Sequence, residues 1–327
     1  MKKIAINGFG RIGRVLFRIL SQRNDCKVLV INDISSPKVL SHLLKYDSIH
    51  GKMSSDIDFG DGYLDFDGQK ITILNNPNLS SLDWHQFDID VVFECTGLFK
   101  KTSDLQKHLN AGAKKVILSA PPLDSSVPMV VVGVNDDIIT PSMQMISNAS
   151  CTTNCAAPMI KVLNDNFNVQ SAYVTTVHSY TSDQNLHDGV HSDLRRARSA
   201  AKSIIPTTTG AAKALSYIFP EIKLGGCGIR VPVSNCSLTD ITCVVNENTN
   251  IELVNSTFKK SSERNMKNII EYNVDPIVSV DVTSSSYSCI FDSLLTYVSG
   301  NTIKIVGWYD NEYGYCSRLA DLLCKIT

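Results

Sequence analysis

The first half of the chain alternates short apolar runs with segments whose apolar residues recur at helical spacing. Ile4-Ala5-Ile6 reads as a buried strand, and past a glycine-rich turn Ile12, Val15, Leu16, Ile19 and Leu20 fall on one face of a helix. Residues 28–31, 91–93 and 116–118, and the run Met129-Val130-Val131-Val132, follow as strands at intervals that leave room for crossovers. Runs this uniformly apolar suit strands buried on both faces, as parallel sheets require, so the pattern predicts a doubly wound α/β sheet.

The pattern changes near Ser147-Asn148-Ala149-Ser150. A helix over 151–167 leads into a strand over 172–177, then a long polar loop carrying Arg195-Arg196-Ala197-Arg198. Strands follow over 229–233, 241–245 and 303–308, and a terminal helix over about 316–326. Ser and Thr on alternate positions of these later strands predict a mixed or antiparallel sheet with one partly covered face. The expected fold class is α/β: a parallel-sheet domain over 1–150, then an α+β domain over 151–313. A length of 327 residues accommodates two domains at about 150 residues each.

Composition narrows the function classes. Thirty-one Lys+Arg against 32 Asp+Glu leave a net charge of −1, so no cationic surface advertises a nucleic acid or an anionic membrane. The apolar stretch Ile4-Ala5-Ile6 is too short for a signal-peptide core. The long charge-free run over 138–160 holds Pro141, Pro158 and many Ser, Thr and Asn residues, which excludes a membrane span. Ten cysteines are scattered without CxxC pairs, which suits reduced thiols and a cytoplasmic protein better than a disulfide scaffold.

Gly8-Phe9-Gly10-Arg11-Ile12-Gly13 fits GxGxxG between a strand and an amphipathic helix. Gly8 permits the tight turn, Gly10 lets backbone approach a pyrophosphate, and Gly13 allows close helix–strand packing. The helix start presents N–H groups and a positive dipole end to the phosphates. Asp33 ends the second strand, where a carboxylate accepts ribose hydroxyls and repels a 2′-phosphate. The cofactor expected of this Rossmann-type unit is therefore NAD.

Cys151 lies in the first turn of the predicted 151–167 helix, capped by Asn148 or Ser150, where the helix field favours thiolate. His178 closes a strand and can pair with a thiol arriving from a neighbouring helix. On residues alone, a single Cys is as readily buried filler and a single His a satisfied polar group. Cys151 and Cys155 at i, i+4 lack a further Cys/His pair at ligand spacing, so no metal is expected.

The stretch 147–155, with His178-Ser179-Tyr180-Thr181, resembles the phosphorylating glyceraldehyde-3-phosphate dehydrogenase family of bacterial type. The resemblance runs almost end to end, through residues 7–13, 42–48, 204–213, Arg230-Val231-Pro232 and 308–315. It implies oxidation of glyceraldehyde 3-phosphate to 1,3-bisphosphoglycerate with NAD and inorganic phosphate, through a hemithioacetal and a thioester on Cys151, with His178 as base. It places the substrate phosphate on Thr181 and Arg230, with Asp183 orienting the arginine. Inorganic phosphate falls on Ser150, Thr152, Thr209, Gly210 and Arg195; without the resemblance the arginine cluster reads as a solvated or interface network. For NAD it adds Asn7, Gly8, Gly10, Arg11, Ile12, Gly13 and Asp33, then Thr96, Gly97 and Ser119, with Asn311 at the carboxamide and Tyr315 near the ring. These last two imply that the helix over about 314–327 folds back onto the first domain. A homotetramer is also implied.

Two departures stand out. Gly189-Val190 occupies a loop position where NAD-dependent bacterial members often carry Leu-Pro, and Asn75-Asn76-Pro77 lacks a basic residue often found near the adenine. Cys227, Cys236, Cys243, Cys289, Cys316 and Cys324 read as small core fillers. The competing functions are erythrose-4-phosphate dehydrogenase on the same scaffold, against which Thr209-Gly210 argues, and a redox-sensing or surface-binding role.

Overall fold

The computed structural model describes residues 1–326, so Thr327, the end of the expected 314–327 segment, lies outside the described residues. The chain forms two compact units. One comprises residues 1–130, 136–149 and the segment from Cys316 onward; the other comprises 131–135 and 150–315.

The first unit runs β1 (Lys2–Asn7), α1 (Arg11–Leu20), β2 (Cys26–Asn32), α2 (Pro37–Lys45), β3 (Ile57–Gly60), β4 (Tyr63–Phe66), β5 (Gln69–Leu74), β6 (Val91–Glu94), α3 (Thr102–Asn110), β7 (Lys115–Leu118) and β8 (Met145–Ser147). Its sheet is ordered β3-β4-β5-β2-β1-β6-β7-β8. From β5 to β8 the pairing is parallel, with Ile4 opposite Val28 on one side and Val91 on the other. Ile4, Ala5 and Ile6 are wholly buried, as a strand covered on both faces must be. The antiparallel edge β3-β4-β5 went unread because its short strands mix Asp and Gly with single apolar residues.

Residues 129–132 are not the expected strand. Met129 makes one isolated bridge to Ser147, and β8 supplies the outer strand instead. Val130 and Val131 are fully buried all the same. Apolar patterning reports burial, and here a single bridge to β8 stands in place of an extended ladder.

The second unit comprises α4 (Cys151–Phe167), β9 (Val169–Ser179), β10 (Ile205–Thr207), α5 (Ala211–Ile218), β11 (Lys223–Val231), β12 (Ser237–Val245), α6 (Ile251–Glu263), β13 (Ile270–Asn273), β14 (Cys289–Asp292), β15 (Tyr297–Ser299) and β16 (Thr302–Tyr309). Its sheet is mixed, ordered β10-β11-β9-β12-β16-β14-β13, with β15 beside β16. Helix α4 packs on this sheet where β16 lacks a side chain. A Cβ at Gly307 would stand 2.5 Å from Cys289 Sγ and 2.7 Å from Met159 Sδ. Helix α7 (Tyr313–Ile326) closes the chain. Within the first unit Cys316 Sγ reaches Ile12 O at 3.5 Å, and Lys2 Nζ donates to Leu323 O.

Candidate active site

Helix α4 begins where the sequence placed it. Ser150 is the N-cap, its Oγ accepting from Thr153 N at 3.1 Å, and this fixes Cys151 in the first turn. The preceding Ala149 has φ +52°, a left-handed conformation that costs a non-glycine residue energy and redirects the chain into the helix. His178 is the penultimate residue of β9, and its Nε2 lies 3.5 Å from Cys151 Sγ. Arg230 on β11 is the register partner of His178 on β9. Its Nη1 lies 2.7 Å from His178 Nδ1 and donates to Ser179 O at 2.9 Å. Tyr309 meets the imidazole edge-on and bonds the hydroxyls of Thr152 and Thr176, each at 2.9 Å.

Burial pushes the Cys151 thiol up to about 11, against the pull of the Arg230 charge and the Thr152 N–H. Burial, reinforced by Arg230, pushes His178 down to about 3. Burial thus opposes charge on both groups, while Arg230 and the donors at the helix start pull the thiol back toward thiolate.

The polar loop differs from the sequence assignment at two places. Arg195 is exposed, and its bonds in this cluster are made by its backbone, the N–H to Asp193 and the carbonyl from Arg198 N. Arg196 is the arginine that turns inward: its Nε donates to Thr207 Oγ1 at 3.0 Å and its Nη2 to Thr208 O at 3.2 Å. Asp183, expected to orient Arg230, is ion-paired with Arg196. Periodicity carries no phase in an irregular loop, so neighbouring arginines were indistinguishable in the sequence. Thr209 Oγ1 accepts from Ala211 N, and Gly210 is the N-cap of α5, a helix that packs on α4. Thr181 is partly exposed beside this cluster's loop.

In the first unit the glycines behave as the turn demands. Gly8 has φ +91°, and a Cβ there would stand 2.6 Å from Thr96 N. A Cβ on Gly13 would stand 2.2 Å from Gly8 O, whereas beside Gly10 no atom lies within 4 Å. The ground in front of the helix start is open. Asp33 accepts from Phe9 N at 2.8 Å and Ser35 N at 2.9 Å, one donor per oxygen. Each oxygen keeps a lone pair for a hydroxyl. Asn75 supports this turn by donating to Asp33 O at 2.7 Å.

Three expected cofactor contacts have side chains committed elsewhere. Asn7 is wholly buried, donating to Glu94 and accepting from Asn32. The Thr96 hydroxyl also bonds Glu94, and Arg11 is ion-paired with Asp47 at 2.7 Å. What Arg11 and Ile12 offer at the helix start is backbone. Glu94, missed in the sequence because it ends an apolar strand, ties the loops after β1 and β6 together. Gly97 has φ +71°, and Ser119 N donates to Glu94 O. In the second unit Asn311 Oδ1 accepts from Ser179 Oγ at 2.9 Å and Ser237 Oγ at 3.3 Å, which makes its NH2 the outward donor end; Tyr315 is buried. Of the supposed filler cysteines, Cys324 is exposed, against Arg23 Nη2 at 2.8 Å. Among the described residues no cluster of ligating side chains could hold a metal ion.

A parallel-sheet nucleotide fold with a glycine turn and a strand-end carboxylate, joined to a unit presenting thiol, imidazole and guanidinium, defines a dinucleotide-dependent dehydrogenase of the covalent, thiol-using class. Comparison with known proteins makes this specific. Residues 2–102 match the NAD binding domain of glyceraldehyde 3-phosphate dehydrogenase, and residues 150–311 match its C-terminal domain. Glyceraldehyde-3-phosphate dehydrogenase 2 of Streptomyces avermitilis is 45% identical over 325 residues, covering 98% of this chain and 97% of the relative. Glyceraldehyde-3-phosphate dehydrogenase 1 of Bacillus cereus is 44% identical over 331 residues, covering 100% and 99%. The Geobacillus stearothermophilus enzyme is 45% identical over 329 residues, covering 99% and 98%. The chain belongs to the glyceraldehyde-3-phosphate dehydrogenase family.

Proposed function

We propose that this protein oxidises glyceraldehyde 3-phosphate to 1,3-bisphosphoglycerate with NAD and inorganic phosphate, as a step of glycolysis and gluconeogenesis. The observation that carries this reading is Cys151 at the start of a buried helix with His178 Nε2 3.5 Å from its sulfur. His178 takes the thiol proton at Nε2, and the sulfur attacks the aldehyde carbon. N–H groups at the α4 start, including that of Cys151, suit the oxyanion that forms. The oxyanion takes the proton back from His178 to give the hemithioacetal hydroxyl, and this hydroxyl returns it to the neutral His178 as the carbon loses hydride. NAD, when bound, supplies the hydride acceptor. A phosphate oxygen attacks the resulting thioester and expels the Cys151 sulfur, giving the acyl phosphate. Covalent capture keeps water from discharging the oxidised carbon as carboxylate.

Thr181 and Arg230 are assigned to the substrate phosphate. Ser150, Thr152, Thr209, Gly210 and Arg196, the last in place of Arg195, are assigned to inorganic phosphate: hydroxyls, an N–H and a guanidinium suit its oxygens. NAD is assigned to Gly8, Gly10, Gly13 and Asp33, the backbone of Arg11 and Ile12, and the loops at Thr96-Gly97 and Ser119, with Asn7 as a buried support. Asn311 is assigned to the carboxamide and Tyr315 to the ring. We read the first unit as the cofactor domain and the second as the catalytic one.

A homotetramer in the cytoplasm completes the proposal. Ten free cysteines suit a reducing compartment, and among the described residues no helix is long and apolar enough to cross a membrane. The named relatives are glyceraldehyde-3-phosphate dehydrogenases, which favours this reading over erythrose-4-phosphate oxidation or a purely redox-sensing role. Steady-state NADH formation from glyceraldehyde 3-phosphate tests it. Strong dependence on added phosphate and preference for NAD over NADP are expected; equal rates without phosphate or arsenate would overturn it.

A further inference from the structure

Glu94 ends β6 with its side chain wholly buried, and both of its oxygens are occupied. Oε1 accepts from Thr96 N at 2.8 Å and from the Thr96 hydroxyl. Oε2 accepts from Asn7 Nδ2 and faces His108 Nε2 at 3.1 Å. These four donors meet a carboxylate, which accepts at both oxygens; an amide would present an NH2 to one pair of them.

The direction of each bond is set from two ends that only donate. The Trp84 indole donates to His108 Nδ1 at 3.2 Å, so Nδ1 carries the lone pair and Nε2–H points at Glu94. The backbone N–H of Asn76 donates to Asn32 Oδ1 at 3.0 Å. The Asn32 NH2 therefore donates to Asn7 Oδ1 at 2.7 Å, and the Asn7 NH2 to Glu94. One arm thus runs from the loop after β5 across the ends of β2 and β1, and the other comes through α3. Both end on Glu94.

The segments these arms hold are the ones assigned to the cofactor. Gly8, at φ +91°, follows Asn7, and Gly97, at φ +71°, follows Thr96. The Gly8 backbone approaches Thr96 N so closely that a Cβ would stand 2.6 Å away. Asp33 follows Asn32, and Asn75, beside Asn76, donates to Asp33 O. The sheet order places β1 between β2 and β6, with Asn7 and Glu94 as register partners. This is the point where the strand order reverses, and a dinucleotide lies outside the carboxyl ends of the strands there.

We propose that Glu94 is a positioning residue for the dinucleotide: it gathers the two arms and so presets the Gly8 turn, the Thr96-Gly97 loop and the Asp33 turn, and His108 acts through it. This rests on the reading of the glycine turn as the NAD site. Loops held before binding carry no ordering cost at binding, so the contribution falls on affinity for the adenosine diphosphate portion of NAD. Turnover is little affected, because the thiol and the imidazole belong to the second unit.

The test uses the full-length protein, with NAD and with ADP, which carries no nicotinamide, as calorimetric probes. Glu94→Gln keeps the shape of the side chain but turns an NH2 toward two donors. Its dissociation constants for NAD and ADP are expected to rise by the same factor, about tenfold. The KM for NAD should follow, while kcat at saturating NAD falls by less than about threefold. His108→Leu removes one donor and should act in the same direction. His108→Gln, whose amide accepts from Trp84 and donates to Glu94, should bind NAD within about threefold of the wild type. A purely structural role would lower Tm and leave the dissociation constants of the folded chains unchanged, and that result overturns the proposal. A loss for NAD that is absent with ADP also overturns it, as does His108→Gln binding no better than His108→Leu. Glu94→Gln decides the question if the His108→Leu chain does not fold. NAD binding by the wild type upholds the cofactor reading whatever the variants do, so the two readings fail separately.

Discussion

Cys151 Sγ and His178 Nε2 are 3.5 Å apart, one at the start of a helix and the other at the end of the strand that follows it. No other cysteine in this protein is hydrogen-bonded to an imidazole among the described residues. If this sulfur is the nucleophile, Cys151→Ser should lower NADH formation by at least about a thousandfold. The dissociation constant for NAD, followed by quenching of protein fluorescence, should change little, because the glycine turn is untouched. Near wild-type turnover in this variant would remove Cys151 from the chemistry.

The inward turn of Arg196 separates it from its neighbour. Arg196→Met removes bonds to Thr207 and Thr208 and the ion pair with Asp183. It should raise the KM for inorganic phosphate by at least about tenfold, the scale of a lost charge-assisted contact. Arg195→Met, at an exposed position, should stay within about twofold. The reverse ranking would restore Arg195 as the anion ligand. The measurement is initial rate against phosphate concentration at saturating aldehyde and NAD.

What was legible in the sequence follows from how each signal arises. The helix over about 151–167 was legible because a capping residue, Asn148 or Ser150, marks its start, and the structure makes that residue Ser150. The glycine turn was legible because two of its glycines, Gly8 and Gly13, meet backbone constraints that fix their place in the motif. Asp33 was legible from spacing alone. Arg196 was not, since a loop offers no face against which to phase two adjacent arginines. Residues 129–132 misled because a buried segment held by one bridge has the same apolar signature as a full strand. Glu94 was invisible for the opposite reason: a charged residue wholly buried at a strand end is explained only by donors from Asn7, Thr96 and His108, which come from separate segments.

Gly13 and Gly10 make contrasting predictions. Alanine at Gly13 places its Cβ against the backbone oxygen of Gly8, which no rotamer change relieves. Gly13→Ala should cost about 3 kcal/mol or more and lower Tm by roughly 6 °C. Gly10→Ala meets nothing within the protein and its φ of −69° is ordinary for alanine, so Tm should hold. Its effect should fall on the cofactor, as a KM for NAD raised several-fold by a methyl group in the path of the pyrophosphate. Equal thermal stability of the two variants would contradict the packing described for α1 against β1.

Acid sensitivity of the first unit should centre on Asp47. Burial raises its pKa, but the N–H groups of His50 and Ile49 and the Arg11 guanidinium outweigh that and hold it down at about 2. A carboxylate depressed in the folded state adds stability above its ordinary range, and that contribution disappears as pH falls through the folded value. The contribution is on the order of 2 kcal/mol. Urea unfolding of wild type and Asp47→Asn should therefore differ most above about pH 5 and converge between about pH 4 and 2. Arg11→Met should reproduce part of the neutral-pH loss, because it removes one of the three donors and leaves the backbone pair. A gap between wild type and Asp47→Asn that stayed constant down to pH 2 would mean that the Asn side chain disturbs packing, and that Asp47 is not held ionised by these contacts.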